Sequence, residues 1–246
     1  MPFVDADDNP VSTVDLRQVG PKAFQLMKGF TYAEPGGRIY PIPAHDLTRP
    51  HDKDETTDLA SVPPLLWGLI ASYGHQTRAA LLHDRLSLLA RRQTQPSAGP
   101  RLRREADRLF RVALLESDVP WLRCWLMWAA VSIDRYLTYA RPWGWIMSAQ
   151  IALAAGWLLL APLSFSGVAL LAALAAPLAA SVLWGRDAGV VALASYASVV
   201  MIPVILVGAV AAVTLWLPST VHWALTDRTK ERFPTPAPYH VQPRAF

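Results

Sequence analysis

The chain has 246 residues and a formal net charge of +4, from 23 Lys+Arg against 19 Asp+Glu. That excess is too small, and too evenly interleaved with acids, to direct the protein to nucleic acid. A single cysteine, Cys124, excludes an internal disulfide and fits a reducing compartment; set among Trp, Leu and Met, it reads as a buried, inert thiol.

The charge is unevenly placed. Residues 1–141 carry 18 basic and 16 acidic side chains, whereas residues 142–226 carry one of each, Arg186 and Asp187. The first twenty residues hold Asp5, Asp7, Asp8 and Asp15 and no apolar run of a secretory signal. The Asp5-x-Asp7-Asp8-Asn9 run lacks the glycine and closing glutamate of a calcium loop, so it reads as a solvated terminus. Residues 23–43 predict a β-hairpin. Phe24, Leu26, Phe30 and Tyr32 alternate with polar positions, Glu34 to Gly37 make the turn, and Ile39 to Ile42 return. Pro41 and Pro43 confine the returning strand to a sheet edge. Residues 44–58 form a loop dense in imidazole and carboxylate groups, His45, Asp46, His51, Asp52, Asp54, Glu55 and Asp58 among them.

Thr56, Thr57 and Asp58 are helix-capping residue types and predict a short helix over 63–70. Apolar residues at helical spacing predict further helices over 77–92 and 101–117, with a fourth starting near Pro120 behind a Ser117-Asp118 cap. His83 falls on the apolar face of the first of these, Asp84 on its flank, and Asp107 one step from the apolar stripe of the next. In the fourth, Trp121, Trp125 and Trp128 form a stripe that either packs on the preceding helices or lies at a membrane surface, and Arg123, Asp134 and Arg135, which leave a polar face, favour packing.

From Pro142 to Gly185 there are 44 consecutive uncharged residues. One straight helix of that length would reach roughly 66 Å, about twice the hydrocarbon thickness of a bilayer. The sequence therefore predicts three transmembrane spans, 143–163, 167–184 and 190–217, the last kinked at Pro203. Trp143, Trp145, Trp184, Trp216 and Trp223 fall at span ends as an aromatic belt. Residues 218–246 read as a Pro-rich tail. The expectation is an integral membrane protein whose N-terminal domain, residues 1–141, lies on the cytoplasmic side, with a protein partner left open.

Chemistry is carried by Asp58, His83, Asp84 and Asp107. One imidazole and three carboxylates, brought together, could hold a divalent metal and activate water for hydrolysis, so these four are the candidate catalytic and metal-ligating residues. Three other readings stay open: a hydrogen-bonded network that braces helix against loop, Ser61 as a nucleophile with His83 as its base, and a resemblance of the His83-Asp84 dipeptide to HD-type metal phosphohydrolases, with His51 or His75 as the upstream ligand and Asp107 as the last.

The order Thr57-Asp58-Leu-Ala-Ser-Val-Pro63, then His83-Asp84, then Arg104-x-Ala-Asp107-x-x-Phe110 resembles a phage- and prophage-associated family, the domain-of-unknown-function family 1353, over about residues 23–140. The resemblance implies a compact domain with these motifs at fixed positions and no established reaction, the apolar helices being an addition to it. Pro64 and Arg85 stand where members often carry an arginine and an aromatic residue. The predicted architecture is a small α+β domain, a β-hairpin plus about four helices, fused to an all-α three-span transmembrane anchor. Two functions of different class are open to it: a metal-dependent hydrolase tethered to the membrane, or a non-catalytic structural or interaction module.

Overall fold

A computed structural model describes residues 2–59 and 74–226. Five short strands come first: β1 (Phe3–Val4), β2 (Leu16–Gln18), β3 (Phe24–Leu26), β4 (Phe30–Ala33) and β5 (Ile39–Ile42). Among the described residues six α-helices follow: α1 (Thr77–Arg91), α2 (Ala98–Glu116), α3 (Trp121–Tyr139), α4 (Arg141–Leu160), α5 (Gly167–Ser181) and α6 (Ala188–Thr226). The expected helix over 63–70 and the 227–246 part of the tail lie outside the described residues.

The hairpin forms between β4 and β5, antiparallel, with Ala33 opposite Ile39 and Gly37 in the left-handed conformation its turn requires. β5 is an edge strand, where Pro41 removes no ladder bond that a neighbour needs. The first arm departs from expectation. β3 pairs with β2, and β1 pairs with β4 to complete a three-stranded sheet. The acidic run at 5–9 is a surface turn in which the Asp5 carboxylate accepts from the backbone N–H of Asp7 and Asn9, each at 2.9 Å. The residues before it are core: Phe3 is fully buried and packs against Phe30 and Tyr32.

The sheets cover one side of α1 and α2, and Leu26, Tyr32, Leu82, Leu109 and Leu114 fill the space between them. Two polar ties fix the register. The Tyr32 hydroxyl donates to Glu116 at 2.8 Å, and Arg108 of α2 bonds Glu34 at the hairpin turn. Ser117 and Asp118 close α2 rather than cap α3: Asp118 has φ 56°, and the N–H of Val119 returns to the Leu114 carbonyl at 3.2 Å.

The tryptophan stripe of α3 does not form core. Trp121 is 66% exposed, while Trp125 and Trp128 hold the Arg111 guanidinium 4.4 and 5.3 Å from their ring centroids. The buried face of α3 is instead Cys124, Met127, Ser132 and Arg135. Arg135, expected on the solvent face, is 5% exposed.

At Ala140 the chain turns sharply into α4. A Cβ on Gly144 would lie 2.7 Å from the Leu137 nitrogen, so only glycine allows this approach. The three-span division is corrected. Among the described residues two helical segments are long and apolar enough to cross a membrane, 141–164 and 167–211, and only 17% and 18% of their most apolar windows is buried. The middle span predicted at 167–184 has only α5 as continuous α-helix, 15 residues or about 22 Å against a hydrocarbon core of about 30 Å. The second segment breaks at Gly185, whose φ 54°, ψ −114° excludes side-chain-bearing residues. It then folds back, so that the Tyr196 hydroxyl reaches the Leu174 carbonyl.

Candidate functional site

α1 amphipathicity buries His83 against α2, where its ring lies 4.8 Å from that of Phe110. His83 Nε2 is 2.9 Å from Asp107 Oδ1. Asp107 is fully buried, and its remaining capacity is also taken: Arg103 Nε donates to Oδ1 at 3.2 Å and Arg135 to Oδ2 at 2.8 Å. Arg135 continues to Asp187, at 2.9 Å, and Asp187 also accepts from Arg104 and the Tyr136 hydroxyl, each at 2.7 Å. A chain of charge-assisted bonds thus runs from His83 through α2 and α3 to the turn between α5 and α6.

Because Asp107 is an acceptor held by two guanidinium groups, the His83 proton sits on Nε2 and is donated to it. Burial is the leading influence on His83 and pulls its pKa below the usual imidazole range, with Asp107 opposing. The ring is therefore neutral near pH 7, with a lone pair on Nδ1.

Asp84, one residue on, is bonded to the 43–59 loop rather than to α2. With His83, Asp58 and Thr57 it lines a pocket of about 680 Å³ between α1 and the 43–59 loop. The Thr57 hydroxyl donates to Asp84 Oδ2 and accepts the Leu59 N–H at 2.9 Å, which fixes the Thr57-Asp58 end of the first motif. Burial pushes the Asp84 carboxyl up to about 7; the Thr57 bond lowers it and the nearby Asp58 charge raises it. Asp58 is exposed at the pocket edge.

The structure thus brings Asp58, His83 and Asp84 to one pocket and sets Asp107 behind His83. The four-ligand metal set does not form. Both oxygens of Asp107 are engaged, and the Arg103 and Arg135 charges beside it oppose a divalent cation. Among the described residues no group of three or more His, Cys, Asp or Glu side chains is placed to hold a metal ion. Ser61 lies outside the described residues. His51 and His75 are exposed, and neither lines the pocket.

Sequence reasoning missed Arg103, Arg135 and Asp187. Arg103 carried a signal: it lies four residues before Asp107, the spacing of an ion pair on one helix face. Arg135 and Asp187 carried none, since their partners are distant in sequence.

Fold and pocket define a small α+β domain with a polar cleft along its first helix, joined to long apolar helices. Residues 50–131 match the family described as "Protein of unknown function (DUF1353)", and that stretch is a domain of this family. The match holds Asp58, His83, Asp84 and Asp107, as the motif resemblance implied. No curated protein and no solved structure matches the chain.

Proposed function

We propose that the domain is a membrane-tethered hydrolase working by acid–base chemistry in the α1 pocket. The observation that carries the reading is the pairing on one helix of two groups whose pKa values burial moves in opposite directions, His83 downward and Asp84 upward. His83 is a neutral imidazole whose tautomer Asp107 fixes, and Asp84 is a carboxyl that holds its proton up to about pH 7. In this scheme His83 Nδ1 takes a proton from water as its oxygen bonds the substrate. Asp84 gives its proton to the leaving group as the scissile bond breaks, and Asp58 raises the Asp84 affinity for that proton. The two apolar segments supply the tether.

A second reading draws on a specific observation as well. The buried chain His83–Asp107–Arg135–Asp187 is what a bracing network in a non-catalytic module would look like.

Full-length protein in detergent micelles, assayed on phosphoester, carboxylic ester and amide substrates, separates the two. The hydrolase reading expects turnover that declines above about pH 7 as Asp84 ionises. It expects Asp84→Asn to lower kcat by roughly 10²–10⁴-fold while the protein stays folded. Absence of turnover across the panel, or an unaffected Asp84→Asn variant, leaves the module.

A further inference from the structure

Two donors in the pocket take no part in the acid–base scheme. The first is Arg85, next to Asp84 on α1. It lines the pocket, and its Nε is buried without a hydrogen-bond partner. No ion pair joins Arg85 to a carboxylate among the described residues, although Asp54 and Glu55 line the same pocket. Those acids are engaged elsewhere: Asp54 holds Arg92 at 2.8 Å, and Glu55 accepts the Asp46 N–H at 2.7 Å and faces Arg49. A buried guanidinium N–H with no acceptor is costly, and native structures tend to retain one where something else supplies the acceptor.

The second donor is His45, on the opposite wall. The Leu26 backbone N–H donates to His45 Nδ1 at 2.9 Å, while the His45 backbone N–H returns to the Leu26 carbonyl at 2.9 Å. An Nδ1 that accepts a hydrogen bond cannot carry a proton, so the proton is on Nε2. Burial, with the Arg85 charge assisting and Glu55 opposing, pulls the His45 pKa below the usual imidazole range, which keeps the ring neutral. His45 lines the pocket, and its Nε2–H is an uncharged donor with no protein partner among the described residues.

We infer that the pocket binds its ligand through an oxyanion, a phosphoryl or carboxylate group, held by the Arg85 guanidinium and the His45 Nε2–H. Arg91 and Lys53, which line the same pocket and form no ion pair among the described residues, add a positive approach. Planar guanidinium geometry suits both oxyanions. The inference deepens the hydrolase reading by naming an anionic substrate class. It rests on that reading only for the chemical step after binding.

Titration calorimetry on the full chain in detergent micelles tests it, with inorganic phosphate and acetate as separate probes. At least one anion is expected to bind. Arg85→Gln is expected to weaken that binding by roughly tenfold or more, as loss of a hydrogen bond to a charged group does. The variant's own Tm should hold or rise, because the buried Arg85 Nε–H that has no acceptor is removed. Arg17→Gln, at an exposed position outside the pocket, should bind as the wild type does. Which probe binds tells phosphoryl from carboxylate. Binding of neither, or equal binding by Arg85→Gln, overturns the subsite. Arg85-dependent binding without turnover on any substrate would leave the subsite standing and remove the hydrolase reading.

Discussion

His83 and Asp84 are neighbours on one helix, yet the carboxyl groups on either side of it live under opposite conditions. Behind the helix, Asp107 is sealed from solvent and receives hydrogen bonds from an imidazole and two guanidinium groups. In front of it, Asp84 meets one hydroxyl, a second carboxylate and a pocket. Residue type is the same and Asp84 is only partly buried where Asp107 is fully so, but the larger difference is the supply of donors. A carboxylate given enough positive donors becomes a structural joint, whereas one left short of them keeps its proton and is available for chemistry.

The sharpest way to break the contrast is Arg135→Met. It leaves Asp107 and Asp187 buried with their shared cation gone and should cost about 3–5 kcal/mol in denaturant unfolding of the full chain in detergent. A loss near zero would mean that the buried chain is no brace.

Asp84→Asn should act with the opposite sign, and only over part of the pH range. The Asp84 carboxyl binds its proton more tightly in the folded state than in the unfolded chain. Wild-type stability from this group is therefore full below about pH 4, falls as pH rises through 7, and is flat beyond. The Asn variant should lack that fall and be the more stable protein above pH 7, as urea midpoints measured from pH 4 to 9 would show. Parallel pH curves for the two proteins would contradict a proton-holding Asp84.

Smallest is Arg92→Gln at the pocket lip. Its pair with Asp54 is half exposed on both sides, so the change should cost under about 1 kcal/mol and fade further in high salt. A larger cost would mean that the lip belongs to the brace.

Helical periodicity made α1 and α2 legible, and with them the burial of His83 and the position of Asp107. The β4–β5 hairpin was equally readable, because its turn and its edge prolines are local signals. What stayed hidden depends on partners far along the chain. β1 and β2 are two and three residues long, too short for alternation to register, and only their pairing defines them. Arg135 looked like a solvent-facing charge because its i±3 and i±4 neighbours are unremarkable; Asp107 and Asp187, 28 and 52 residues away, make it a core residue. The 167–184 span looked complete by hydropathy, but hydropathy does not report that the α-helix ends at Ser181 and tightens into a 3-10 turn over Val182–Asp187. The site was half visible. The motifs placed Asp58, His83 and Asp84, whereas the donor count that sets Asp107 apart from them is a property of packing.

The bond network at Asp187 also settles how the domain is mounted. Arg104 from α2, and Arg135 and Tyr136 from α3, converge on one carboxylate at the α5–α6 turn, while the α3–α4 corner at Gly144 closes too tightly to act as a swivel. Two attachments set apart from one another define a bracket, which resists rotation and tilt better than either attachment alone. The pocket mouth accordingly keeps one fixed bearing to α4, α5 and α6. The distance from the cleft to the apolar helices is thus set by the mount before any chemistry begins.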